Sequence, residues 1–83
     1  DLYRKELSVK EVNWISGKEP NLPIKVKAKI RYCRKPSIAI IYYLKSNIYH
    51  LKFDTSQRAI TPGQEVVFYK KNLLLGGGMI CEI

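Results

Sequence analysis

Eighty-three residues suit one small domain with a single modest core, and 15 Lys and Arg against 7 Asp and Glu leave a net charge of +8. The apolar share of 46% favours a folded chain over a disordered one; the longest apolar run, Ser37–Leu44, is strand-sized and far short of the ~18 residues of a membrane-spanning helix. A positive balance of this size favours nucleic acid or an anionic surface as partner and says nothing about fold.

The segment Asp1–Ile15 alternates imperfectly through Leu7, Val9, Glu11, Val12 and Trp14 and is predicted as a strand whose register breaks near Lys10–Glu11 at a bulge. Ser16–Pro23 is rich in turn formers and reads as a linker or as a loop closing a first hairpin. Ile24–Tyr32 is the most regular strand of the chain, ended by Pro36. Ser37–Leu44 is apolar on both faces and β-branched, which predicts a strand buried on both sides. A hairpin turn at Lys45–Asn47 returns the chain along Ile48–Phe53. Asp54–Arg58 reads as a polar loop, followed by a short extension at Ala59–Ile60. Pro62 and Gly63 occupy the positions a type II turn favours. Glu65–Tyr69 is a further strand, Lys70–Asn72 a second hairpin turn, and Leu73–Ile83 a last strand crossing Gly76–Gly78. No segment has a helical period, so about six short strands predict an all-β antiparallel barrel or sandwich; a barrel also removes exposed edges.

The segment Ile24–Tyr32 carries the informative pattern. In an extended chain Ile24, Val26, Ala28, Ile30 and Tyr32 share one face, and Lys25, Lys27, Lys29 and Arg31 share the other. Arg34 and Lys35 follow, and no carboxylate occurs between Glu19 and Asp54. Same-face neighbours about 6.6 Å apart repel by roughly 0.6 kcal/mol in bulk water before screening. A solvated face tolerates that cost, whereas a polyanion relieves it and releases counterions. Both readings stand on these residues alone. Tyr32 beside Arg31 adds a ring and a guanidinium that can stack on an unpaired base and hold its phosphate. Lys70 and Lys71, in their turn, serve as a basic reference pair outside that site.

Other chemistry is thin. Leu75–Ile80 lacks the Lys-Ser/Thr ending of a phosphate loop and no helix follows it, so its glycines read as a bend or close approach. His50 is the single histidine, and Cys33 and Cys81 are the only cysteines. They are expected to be reduced, although a disulfide between them is open; the basic neighbours of Cys33 favour a thiolate if it is exposed. Zinc-ligand spacing and paired catalytic carboxylates are absent, so no catalytic and no metal residue is assigned. Trp14 fits buried packing or a stacking platform. Tyr42, Tyr43, Tyr49 and Tyr69 read mostly as core or rim.

Four landmarks in order, Asn13–Gly17 (NWISG), Lys29–Tyr32 (KIRY), Ala59–Tyr69 (AITPGQEVVFY) and Leu75–Ile80 (LGGGMI), resemble the C-terminal part of the tRNA-specific 2-thiouridylases. The resemblance implies a β-barrel at 13–83, with residues 1–12 a tail of that family's central domain or an extra strand. It implies a cytoplasmic parent enzyme that uses ATP and Mg in an N-terminal domain to adenylate the wobble uridine of tRNA and exchange its C2 oxygen for sulfur. That domain's nucleotide loop and two catalytic cysteines are not in these 83 residues, so Cys33 and Cys81 do not inherit their roles and no cofactor is expected here. The absence of Met at Asp1 fits an excised domain or a processed product. The family's tRNA contact falls on Arg31 and Tyr32, and Lys29, Arg34 and Lys35 are nominated by charge as phosphate neighbours. Gln64 and Gly76–Gly78 belong to the family pattern as architecture. Expected partners are tRNA and the rest of the parent enzyme, with no membrane. The alternative is a protein-interaction module whose positive face steers the parent enzyme or an acidic sulfur-carrier protein.

Overall fold

A computed structural model describes residues 3–30, 35–58 and 61–82. Six strands among them, β1 (Tyr3–Trp14), β2 (Ile24–Ile30), β3 (Ser37–Lys45), β4 (Ile48–Arg58), β5 (Glu65–Lys70) and β6 (Leu73–Glu82), form a closed antiparallel barrel in the order β1-β4-β3-β2-β5-β6. Closure leaves no unpaired edge for strands this apolar. It also places β2 and β1 three strands apart in either direction, on opposite sides of the barrel.

Alternation sorts each strand between one interior and one exterior. Val26, Ala28 and Ile30 of β2 point inward, where they meet Leu7, Val9, Ala39, Ile41, Leu51, Phe53, Val66, Phe68 and Ile80. The two-sided burial expected of β3 is corrected. Ala39 and Ile41 are buried, whereas Ile38 is 37% exposed and Leu44 51% exposed. A barrel of this size has a single interior, so the second apolar face of β3 must look outward.

The polar loop expected at Asp54–Arg58 is corrected as well. These residues are the last part of β4, with Arg4 paired to Gln57 and Tyr3 to Arg58 across an irregularity between Arg4 and Glu6. Gln57 is buried there, and its amide donates to Ser37 Oγ at 3.1 Å and to the Thr55 carbonyl at 3.0 Å. A buried amide is tolerated because its hydrogens find partners. The extension expected at Ala59–Ile60 lies outside the described residues.

Other local expectations hold. The β1 register against β6 shifts between Lys10 and Asn13, and Glu11 sits at φ 53°, so the break is a bulge. At Thr61–Gln64, Gly63 has φ 93°, and the Gln64 amide donates to the Thr61 carbonyl, as in a type II turn. The Gln64 side chain accepts a 2.9 Å bond from the Thr61 amide, which closes the turn from the other direction.

One end of the barrel carries an aromatic cluster. Trp14 packs edge-on against Tyr49 (ring centroids 5.5 Å) and tilted on Phe68 (6.0 Å), so packing and not external stacking is its role. The Tyr49 hydroxyl accepts from Trp14 Nε1 at 3.4 Å and donates to Glu19 Oε1 at 2.5 Å, tying the loop before β2 to the core. Burial pushes the Tyr49 phenol above its ordinary value of 10.0, and the bond it donates to Glu19 acts in the same direction. The folded state therefore holds the phenol proton more tightly than the unfolded chain does. That contribution is present below about pH 10 and is lost as pH rises through the folded value. Thermal melts carried into the alkaline range are expected to show a loss of stability that Tyr49→Phe removes. Superimposable alkaline profiles of the two proteins contradict it.

Candidate nucleic-acid interface

The exterior of the barrel is electrostatically uneven because its strands differ in what they place at outward positions. On β2 these positions are Lys25, Lys27 and Lys29, the first two exposed and Lys29 half-buried. Their neighbours supply no carboxylate from β3, where Lys25 is opposite Ile40 and Lys27 opposite Ile38. On the other side Lys27 is opposite Tyr69 and Lys29 opposite Val67 of β5. Glu6 and Glu11 lie on β1, across the barrel.

Register and turn together make a cleft here. Lys27, Lys29, Tyr69, Lys71, Asn72 and Pro36 line a hollow of about 330 Å³ between β2 and the β5–β6 turn. Lys71, which lines it from the turn, adopts φ 56°, an uncommon conformation for a residue with a side chain. A smaller hollow of about 230 Å³ adjoins it, lined by Lys29, Glu65, Val67 and Tyr69. Tyr69 and Lys29 thus stand between the two. A groove of about 380 Å³ lies over Gly76–Gly78, bordered by Glu11, Ile15, Leu74 and Met79, and shares Glu65 and Val67 with that smaller hollow. Its carboxylates and apolar walls suit a polyanion poorly.

Of the nominated residues, Lys29 lines the cleft and Lys35 is exposed beside Pro36, which also lines it. Arg31, Tyr32 and Arg34 lie outside the described residues, as does Cys33. The structure adds Lys27, Tyr69, Lys71 and Asn72. Alternation along Glu65–Lys70 already marks Tyr69 as outward, since Val66 and Phe68 are the buried pair. Its position beside Lys27, however, depends on a β2–β5 pairing that no local pattern reveals. Lys70 and Lys71, the reference pair, lie close to β2. Lys71 lines the cleft, and Lys70 Nζ donates to the Lys25 carbonyl at 3.5 Å.

The remaining chemistry candidates are occupied or structural. His50 Nε2 donates to Glu6 Oε1 at 2.9 Å and its ring lies 6.2 Å from that of Tyr42. Cys81 is a half-buried free thiol. Among the described residues no group of three His, Cys, Asp or Glu is placed to hold a metal ion, and no helix is long and apolar enough to cross a membrane.

The model of the aminomethyltransferase beta-barrel domain family matches residues 4–80. The chain belongs to this family. It is also homologous to the C-terminal domain of tRNA-specific 2-thiouridylases. It is 48% identical over 80 residues to tRNA-specific 2-thiouridylase MnmA of Acetivibrio thermocellus, covering 96% of the chain and 22% of that relative. The corresponding figures are 47% over 83 residues, 100% and 24% for tRNA-specific 2-thiouridylase MnmA 2 of Clostridium botulinum strain Hall. For MnmA of Halothermothrix orenii they are 48% over 82 residues, 99% and 23%. The chain therefore spans less than a quarter of the length of these curated relatives. Within the family's barrel, the glycine run of β6 takes its meaning from packing. A Cβ on Gly77 would stand 2.7 Å from the Val66 carbonyl oxygen, and one on Gly78 would stand 2.6 Å from Val9 Cγ1.

Proposed function

We propose that the chain is the tRNA-binding β-barrel of a tRNA-specific 2-thiouridylase and helps position the anticodon arm for 2-thiolation of the wobble uridine. The observation that carries this reading is the Lys25–Lys27–Lys29 row of β2, which has the single carboxylate of Glu65 beside its Lys29 end and runs into a cleft containing Tyr69 and Lys71 on a barrel homologous to such enzymes. Arg31 and Tyr32, the dipeptide matched to the family's tRNA contact, directly follow β2 in the chain. Lysine ammonium groups hold phosphates and set the register of the RNA, while aromatic rings engage exposed bases. In this reading the chemistry, with its ATP and Mg, belongs to another domain of a cytoplasmic parent enzyme, and this barrel contributes affinity and orientation.

A second reading, docking on the rest of the parent enzyme, is favoured by the exposed Ile15, Leu73 and Leu74 near the glycine groove. The glycine groove shares Glu65 and Val67 with the smaller hollow but contains none of the three lysines, so one experiment separates the two. Unfractionated tRNA is titrated into the isotope-labelled chain and the backbone amides are followed by NMR. Shifts are expected at residues 25–35 and 69–72, with residues 4–12 of the opposite strand unmoved. Shifts confined to β1 or to the glycine groove, or none at all, contradict the proposal.

A further inference from the structure

The described tyrosines differ in what their rings touch. Tyr42 lies against His50, Tyr43 against Tyr49, and Tyr49 against Trp14. Tyr69 has no ring contact and no side-chain hydrogen bond among the described residues. It is nevertheless only half-exposed, held between Lys27, its cross-strand partner, and Lys29. Half-exposed, the ring keeps an outer face that no other described ring covers. Lys27 and Lys29 from β2 and Lys71 from the turn line the cleft with it, while the one carboxylate nearby, Glu65, lines the smaller hollow on its other side.

From this arrangement we infer that the cleft binds a single unpaired nucleotide of RNA, its base stacked on Tyr69 and its flanking phosphates held by Lys27, Lys29 and Lys71. The inference rests on the RNA-binding reading above and adds which RNA feature is recognised. Three considerations lead to it. The hollow of about 330 Å³ lies at the small end of ligand pockets, so it suits one nucleotide and not a helical groove. A ring gains from a base only when the face of that base is exposed, which paired and stacked RNA does not offer. Lysines are point charges that hold phosphates without demanding a sequence. The cleft therefore selects an unstacked position in a loop and is tolerant of base identity.

The test uses fluorescence anisotropy with two probes of equal phosphate number, a short oligouridine and a blunt RNA duplex. Tyr69→Ala is expected to weaken oligouridine binding about 5- to 150-fold, with little change on the duplex and an unaltered salt slope. Tyr69→Phe keeps the ring and is expected to bind oligouridine within about threefold of the parent chain. Because Tyr69 points away from the core, both variants should melt like the parent, which a thermal scan confirms. Salt-dependent binding that Tyr69→Ala leaves unchanged, or equal losses on the two probes, overturns the nucleotide cleft and leaves tRNA binding standing. Failure of every RNA, tRNA included, overturns both.

Discussion

Gly76→Ala is expected to destabilise the barrel by roughly 3 kcal/mol. Gly76 is buried in β6, paired with Trp14 of β1, and the adjacent Ile15 amide donates to the Leu75 carbonyl at 2.8 Å. A Cβ built on Gly76 falls inside contact distance of the Asn13 carbonyl oxygen and 3.2 Å from Trp14 Cα. Both obstacles are backbone, pinned by the ladder they help to form, so neither can swing aside as a side chain would. Overpacking usually costs about 1–3 kcal/mol and occasionally more; with backbone on the far side the upper end, roughly 3 kcal/mol, is the expectation. A chain of this length has roughly 4–12 kcal/mol in total. The melting temperature should therefore fall by about 12 °C or more. Gly17→Ala is the informative comparison. Gly17 has φ 84° but nothing within 4 Å of its added methyl, so it bears only the left-handed penalty of about 1–2 kcal/mol. Gly76→Ala melting at or above Gly17→Ala contradicts the close-crossing role of the glycine run.

The second large effect is electrostatic. Lys27→Glu with Lys29→Glu is expected to weaken tRNA binding by at least about 100-fold near 0.1 M salt, since counterion release is worth roughly tenfold per neutralised phosphate there. Neither residue contributes to the core, because Lys27 is exposed and Lys29 presents its side chain to the cleft, so folding should be retained. The matched control is Lys5→Glu with Lys10→Glu on β1. It changes the net charge by the same amount on the opposite side of the barrel. If affinity depended on net charge alone, both pairs would weaken binding equally. A localised site requires the β2 pair to weaken it far more.

Much of this surface was legible in the sequence because period-two alternation is a local property. The alternation of Ile24–Arg31 separates cations from apolar residues over four repeats, and β2 carries that division wherever it is described. The bulge at Glu11 and the turn at Pro62–Gly63 were legible for the same reason, each being written in neighbouring residues. What failed was what depends on partners distant in sequence. Ile38 and Ile40 read as buried because they are apolar, but closure into one barrel turns them outward. Asp54–Arg58 read as a loop because it is polar, but β1 supplies a pairing partner and Ser37 a hydrogen bond for Gln57. Tyr69 and Lys71 escaped notice as binding residues since they join Lys27 and Lys29 only through the β2–β5 pairing.

The salt dependence of tRNA affinity, measured for the parent chain and for the Lys27→Ala, Lys29→Ala double variant, probes the lysine row most directly. The logarithm of affinity should fall linearly with that of salt in the parent, and the double variant should lose about two units of slope, one for each phosphate contact. Equal slopes in the two proteins would mean that RNA does not sit on β2.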